Sequence, residues 1–138
     1  MIIFADTSAL VKRYIEEIGS DKVDEIFSHA DGLIVSAITK AELNSAFARR
    51  LKDKSIDKKS YEMALNEFNN DFEYIDVILY NSKTETETIN SIKKYAMKTL
   101  DAIQLASARL SLADVFITSD KKLYDIAMQE LSGECIYI

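Results

Sequence analysis

The sequence predicts an α/β fold: a parallel sheet with helices on both faces. Short β-branched or apolar runs alternate with longer helical patterns along the whole chain, and strands that alternate with helices pair in parallel. The 138 residues include no proline and only three glycines. No linker, repeat or low-complexity stretch therefore divides the chain, whose length suits one domain over residues 1–138.

The elements follow in order. "IIFA" (2–5) is the first strand, followed by helices near 7–15 and 20–29. "LIVS" (33–36) is the second strand, and helices near 39–54 and 57–72 come after it. The helix at 57–72 places Tyr61, Leu65, Phe68 and Phe72 on one stripe, which predicts core or helix-pair packing first and a partner interface second. "YIDVI" (74–78) is the third strand, and helices near 84–97 and 99–112 follow. The last units are the strand "VFITS" (115–119), a helix near 121–131 and the strand "CIYI" (135–138).

Composition is that of a globular protein, with 48% hydrophobic and 29% charged residues. The single cysteine, Cys135, forms no internal disulfide and favours a reducing, cytoplasmic setting. The opening "MIIFADTSAL" lacks the basic start of a signal peptide, and Asp6 interrupts its apolar run. No apolar stretch approaches the roughly 20 residues that span a bilayer, so no membrane association is expected. The net charge of -6 argues against a generic nucleic-acid binder. Charge is unevenly spread, however: "RRLKDKSIDKK" (Arg49 to Lys59) holds six basic and two acidic residues, whereas 60–82 has five acids and no base. That run is either a solvated helix end or a substrate contact.

One aspartate is out of place. In "KTLDAIQLASARL", Asp101 shares a helix face with Leu105, Ala108 and Leu112, where an unpaired carboxylate would be costly. Three further acids fall at or near strand ends: Asp6 after the first strand, Glu42 in "ITKAELNSAF", and Asp120 after the fourth. Ligands of open α/β sheets bind beyond the carboxyl ends of the strands, so these four acids could share one cleft. Each alone has a structural explanation. Asp6 and Asp120 could cap helices, and Glu42 and Asp101 could complement helix dipoles.

Brought together, four carboxylates repel and some remain protonated unless cations bind. A hard divalent cation such as Mg²⁺ removes the conflict, and such sites suit phosphoryl chemistry on an activated water. Zinc is not expected, because the chain has one histidine, His29, and one cysteine, neither near these motifs. Ser8 and Thr118 lie two residues from Asp6 and Asp120, where they could orient a carboxylate, ligate water or simply cap a turn. Lys98, Lys12 and Arg13, with Arg49 from the basic run, are candidate phosphate contacts.

The segments "FADTSALVKRY", "SAITKAEL", "KTLDAIQLASA" and "FITSDKKL", in this order and spacing, resemble the PIN domain family, and within it the VapC toxins of prokaryotic toxin–antitoxin pairs. The resemblance implies a three-layer α/β/α sandwich and an acidic pocket binding Mg²⁺ or Mn²⁺. The implied activity is metal-dependent endoribonuclease action. Asp6, Glu42, Asp101 and Asp120 match the acidic quartet, Thr118 and Ser8 match family hydroxyls, and Lys98 stands where a basic residue precedes the third acid. Gln104 stands where many relatives have histidine. Relatives are commonly homodimers inhibited by a small antitoxin protein. The basic run and the aromatic stripe fall in the helical arm used for those contacts, so the stripe is expected to be partly interface.

Other functions fit less well. A haloacid-dehalogenase phosphatase needs a second aspartate two residues after the first, where this chain has Ser8. A receiver domain needs its acceptor at a strand end, whereas Asp76 lies inside "YIDVI". A structure-specific DNA nuclease and a non-catalytic RNA-binding PIN-like module are the nearer alternatives.

Overall fold

The computed structural model covers residues 1–138. Strand β1 (Ile2–Ala5) leads into α1 (Thr7–Tyr14) and α2 (Ser20–Ser28), and β2 (Gly32–Ser36) into α3 (Thr39–Lys52) and α4 (Lys58–Phe72). Next come β3 (Asp76–Ile78), α5 (Ser82–Tyr95) and α6 (Thr99–Ser111), then β4 (Val115–Thr118), α7 (Lys121–Glu130) and β5 (Glu134–Tyr137). All four strand pairings are parallel, in the order β3-β2-β1-β4-β5.

Side chains alternate across the sheet as a two-residue period requires. Ile3 and Ala5 of β1, with Val115 and Ile117 of β4, join a core built by α1, α3 and α4 around Leu10, Leu43, Phe47 and Phe68. Phe4 and Phe116 point the other way, onto Ala102, Leu105 and Ala108 of α6 and Leu123, Ile126 and Ala127 of α7. The central strands are thus apolar on both faces, as expected where helices cover a parallel sheet twice. This is the predicted three-layer sandwich, five strands flanked by seven helices. No helix is long and apolar enough to cross a membrane.

Differences from the sequence prediction are local. β3 begins at Asp76 rather than Tyr74, because the amides of Tyr74 and Ile75 still donate to the end of α4, at Asp71 O and Phe72 O. α5 begins two residues early, at Ser82, because the Asn81 side chain accepts from the amides of Lys83 and Thr84, both at 3.1 Å. Leu112, placed by periodicity on the face of Asp101, instead ends α6 in a left-handed conformation (φ 52°) and is 83% exposed. The helix stops before its pattern does, and the terminal turn swings that side chain outward. In the aromatic stripe, Phe68 is fully buried, edge-on to Tyr14 and Phe72 at 5.5 and 5.4 Å. Its ring belongs to this chain's own core and is closed to any partner; Tyr61, Leu65 and Phe72 are partly buried against the same core.

Strand order is what positions a site. The chain lays β1, β2 and β3 outward in one direction, then returns to place β4 on the free side of β1. The carboxyl ends of β1 and β4 therefore sit side by side where the winding reverses, the place at which open α/β sheets form a ligand crevice.

Candidate functional site

Three helices that start just after strands, α1, α3 and α7, begin at this edge. The helix leading into β4, α6, runs back against the sheet and also begins there. Asp6 and Asp120 occupy the N-cap positions of α1 and α7, and Glu42 and Asp101 lie in the first turns of α3 and α6. Four helix N-termini, each with partial positive charge, thus face one edge.

Capping accounts for only one of the four acids. Asp120 Oδ1 does accept from the amide of Leu123 at 2.9 Å. Asp57 and Asn81 cap α4 and α5 in the same way, so this chain makes such caps readily. Asp6 does not: its side chain makes no cap bond. Its Oδ2 accepts instead from Ser8 Oγ at 2.5 Å and from Thr118 Oγ1 at 2.8 Å. Ser8 Oγ in turn accepts from the Ser119 amide, and Thr118 Oγ1 from the Asp120 amide, at 2.9 and 3.0 Å. The two hydroxyls tie the ends of β1 and β4 together and fix the Asp6 carboxyl between them.

Glu42 is held in a comparable manner. Its Oε1 accepts from Thr7 Oγ1 at 2.9 Å and from Gln104 Nε2 at 2.7 Å. Gln104 is buried, also approaches Thr7 and Thr39, and leaves its own Oε1 without a partner. Sequence reasoning passed over Thr7 and treated Gln104 as a departure from relatives. The only signal for Thr7 was a second hydroxyl beside Asp6 in "DTS", and its contact with Glu42 spans 35 residues. Each of Asp6, Glu42 and Asp120 is therefore oriented through one oxygen while the other makes no protein hydrogen bond. Asp101 makes none with either oxygen.

Electrostatics couple the group. Burial pushes the Asp6 carboxyl up from 3.8 to about 6, with Glu42 and Asp101 adding to the rise and the Ser8 and Thr118 hydroxyls opposing it. The Asp101 carboxyl is also raised, first by desolvation and then by Asp120 and Glu42, against the ammonium groups of Lys98 and Lys122. Asp101 thus acts on Asp6 and feels both Glu42 and Asp120, which links the four acids in a chain through it. They are spaced along the edge and do not close into a cage: no group of three acidic, histidine or cysteine side chains is tight enough to hold a metal as it stands. The donor set nonetheless fits a hard divalent cation. It is all oxygen, partly desolvated and self-repelling, and such a cation takes a few carboxylates and completes its shell with water.

The basic candidates separate by position. Lys98 is exposed at the N-cap of α6 beside Asp101, and Arg49 shares a groove with Glu42, Ile38 and Leu100. Lys12 instead spends its ammonium on Glu17 Oε1 at 3.2 Å and the Ile18 carbonyl at 2.7 Å. Arg13, at the far end of α1, pairs with Asp24 and Asp71 and lies over the Phe27 ring. Arg13 lines the largest cavity, about 570 Å³, with residues that precede β2 and β3. That cavity opens at the amino edge of the sheet, opposite the acids. Lys122, exposed in the first turn of α7 and absent from the sequence candidates, also opposes the rise at Asp101.

Several solved structures share the fold over nearly the full length of both chains. VapBC-1 from nontypeable Haemophilus influenzae has a TM-score of 0.66 at 23% identity, covering 99% of this chain and 98% of that one. FitAcB from Neisseria gonorrhoeae has a TM-score of 0.71 at 15% identity, covering 97% and 96%. VapBC-5 from Mycobacterium tuberculosis, a member of the VapBC family of toxin–antitoxin systems, has a TM-score of 0.64 at 13% identity, covering 99% and 98%. At these identities the likeness is one of fold. No curated protein matches the chain. The PIN domain matches residues 3–128, which is most of the sequence, and the chain belongs to the PIN domain family.

Proposed function

We propose that the chain is a metal-dependent endoribonuclease that hydrolyses RNA phosphodiester bonds, and that it is the toxin of a VapBC-type toxin–antitoxin pair. The observation that carries this reading is the gathering of four carboxylates at the β1–β4 edge, three of them oriented through one oxygen and open at the other. Asp6, Glu42, Asp101 and Asp120 would hold Mg²⁺ or Mn²⁺. Such a cation supplies charge stabilisation at the phosphate and lowers the pKa of a bound water.

The chain's own residues prepare the site. Ser8 and Thr118 fix Asp6 from two sides, and Thr7 and Gln104 fix Glu42, so neither side chain must be ordered when substrate arrives. Asp101 has neither oxygen engaged by the protein and would complete the cation's oxygen ligands from the first turn of α6. Lys98, Lys122 and Arg49 at the rim would meet flanking phosphates. The toxin–antitoxin systems named for the similar structures support a small antitoxin protein as partner, and a homodimer as the working form is part of the same proposal.

The test is cleavage of total cellular RNA by the purified protein in Mg²⁺ or Mn²⁺, beside EDTA and Asp101→Asn controls. Discrete fragments lost in both controls are expected. Cleavage that survives Asp101→Asn would refute the assigned site, and no cleavage by folded, antitoxin-free protein would refute the activity.

A further inference from the structure

Beside the acids lies a pair of rings that the catalytic reading does not use. Tyr124 of α7 and Tyr137 of β5 pack at 5.7 Å between ring centroids, their planes tilted by 50°. The Lys121 ammonium lies 4.8 Å from the first ring and 5.8 Å from the second. Tyr137 is 42% exposed. In the parallel ladder its register partner is Thr118, whose hydroxyl holds Asp6. Register partners project from the same face of a sheet, and neighbouring strands are roughly 5 Å apart. The Tyr137 ring therefore stands one strand over from the group that fixes Asp6. Asp120 and Lys122 flank Lys121 in sequence.

Nothing in the core requires this pair there: Tyr137 is exposed, Tyr124 partly buried, and neither joins either buried cluster. With a net charge of -6, the chain has little general attraction for a polyanion, so affinity must come from local contacts. Aromatic faces beside lysines are how single-stranded nucleic acids are held without sequence readout. Resting on the ribonuclease reading, we infer that Tyr137, backed by Tyr124, stacks a nucleobase of single-stranded RNA flanking the scissile phosphate. Lys122 takes the adjoining phosphate, while Lys121, held by Asp125 Oδ1 at 2.5 Å, braces the two rings. Stacking needs an unpaired base, so the platform selects single-stranded RNA over duplex.

The chain contains no tryptophan, so Tyr137→Trp keeps a stacking ring and adds a sole indole reporter. Binding of a 12-nucleotide single-stranded RNA is measured in EDTA, which removes cleavage from the readout. The indole emission should be quenched by that RNA and not by its duplex. Tyr137→Ala should weaken binding by roughly 5- to 150-fold, the range for one stacked base, while Tyr137→Phe should bind like the parent; thermal melts establish that each variant is folded. Equal affinity of Tyr137→Ala and parent, or no quenching at saturating RNA, would overturn the platform. So would binding of single-stranded DNA alone. A parent protein that cleaves RNA while Tyr137→Ala binds normally loses only the platform, whereas absence of cleavage by the parent removes the ribonuclease reading itself.

Discussion

Replacing Asp6 by asparagine should make the metal-free protein more stable at neutral pH. Burial raises the Asp6 carboxyl from 3.8 to about 6 in the folded chain. A carboxyl whose folded pKa exceeds its unfolded value binds its proton more tightly when folded. Its contribution is fully present below 3.8 and is lost as pH rises through about 6. Two pKa units correspond to about 3 kcal/mol, a large share of the 5–15 kcal/mol that holds a typical domain together. Asparagine has the same shape and no charge to desolvate, and its carbonyl can still accept from Ser8 and Thr118. The assay is urea unfolding in EDTA of parent and variant at pH 4.5 and 7.5. By linkage about 1 kcal/mol is already lost at the lower pH, so the advantage of Asp6→Asn should widen by about 2 kcal/mol between them. An advantage that does not change with pH, or a parent more stable than the variant at pH 7.5, would show that Asp6 ionises in the fold without penalty. The four acids would then need no cation to coexist at neutral pH.

Further outcomes can be checked together. Mg²⁺ at 100 times its Kd should return about 2.7 kcal/mol to the parent at pH 7.5 and distinctly less to Asp6→Asn, read from urea midpoints. Ser8→Ala removes the strongest hydrogen bond holding the Asp6 pKa down, so the rising limb of RNA cleavage against pH should move to higher pH, with Thr118→Ala moving it the same way. Gln104→Leu should lower cleavage about 10- to 100-fold by freeing Glu42, as loss of an orienting partner usually does. Its unfolding free energy should change little, because the substitution also removes the unpartnered Oε1. Phe68→Ala empties a fully buried aromatic site and should destabilise the chain by about 3–5 kcal/mol in urea titration.

The class of fold and the bounds of its elements follow from local pattern alone. Short apolar runs alternating with helical periods leave a parallel sheet as the arrangement that buries both faces, and the observed strands and helices follow those runs to within about two residues. The sequence also placed Asp6 and Asp120 directly after strands and Glu42 and Asp101 in first turns, since such positions are local properties of the chain. What it could not determine depends on contacts between distant residues. The order β3-β2-β1-β4-β5 makes the ends of β1 and β4 neighbours, and only then do Ser8, Thr118 and Asp6 meet across more than a hundred residues. Gln104 reaches Glu42 over a separation of 62, which no periodicity reveals. The fates of Lys12, Arg13 and Leu112 were likewise tertiary. Two of these side chains found partners away from the acids, and the third was turned outward by a helix that ended one residue before its pattern did. Local sequence sets where a side chain begins, and packing decides what it faces.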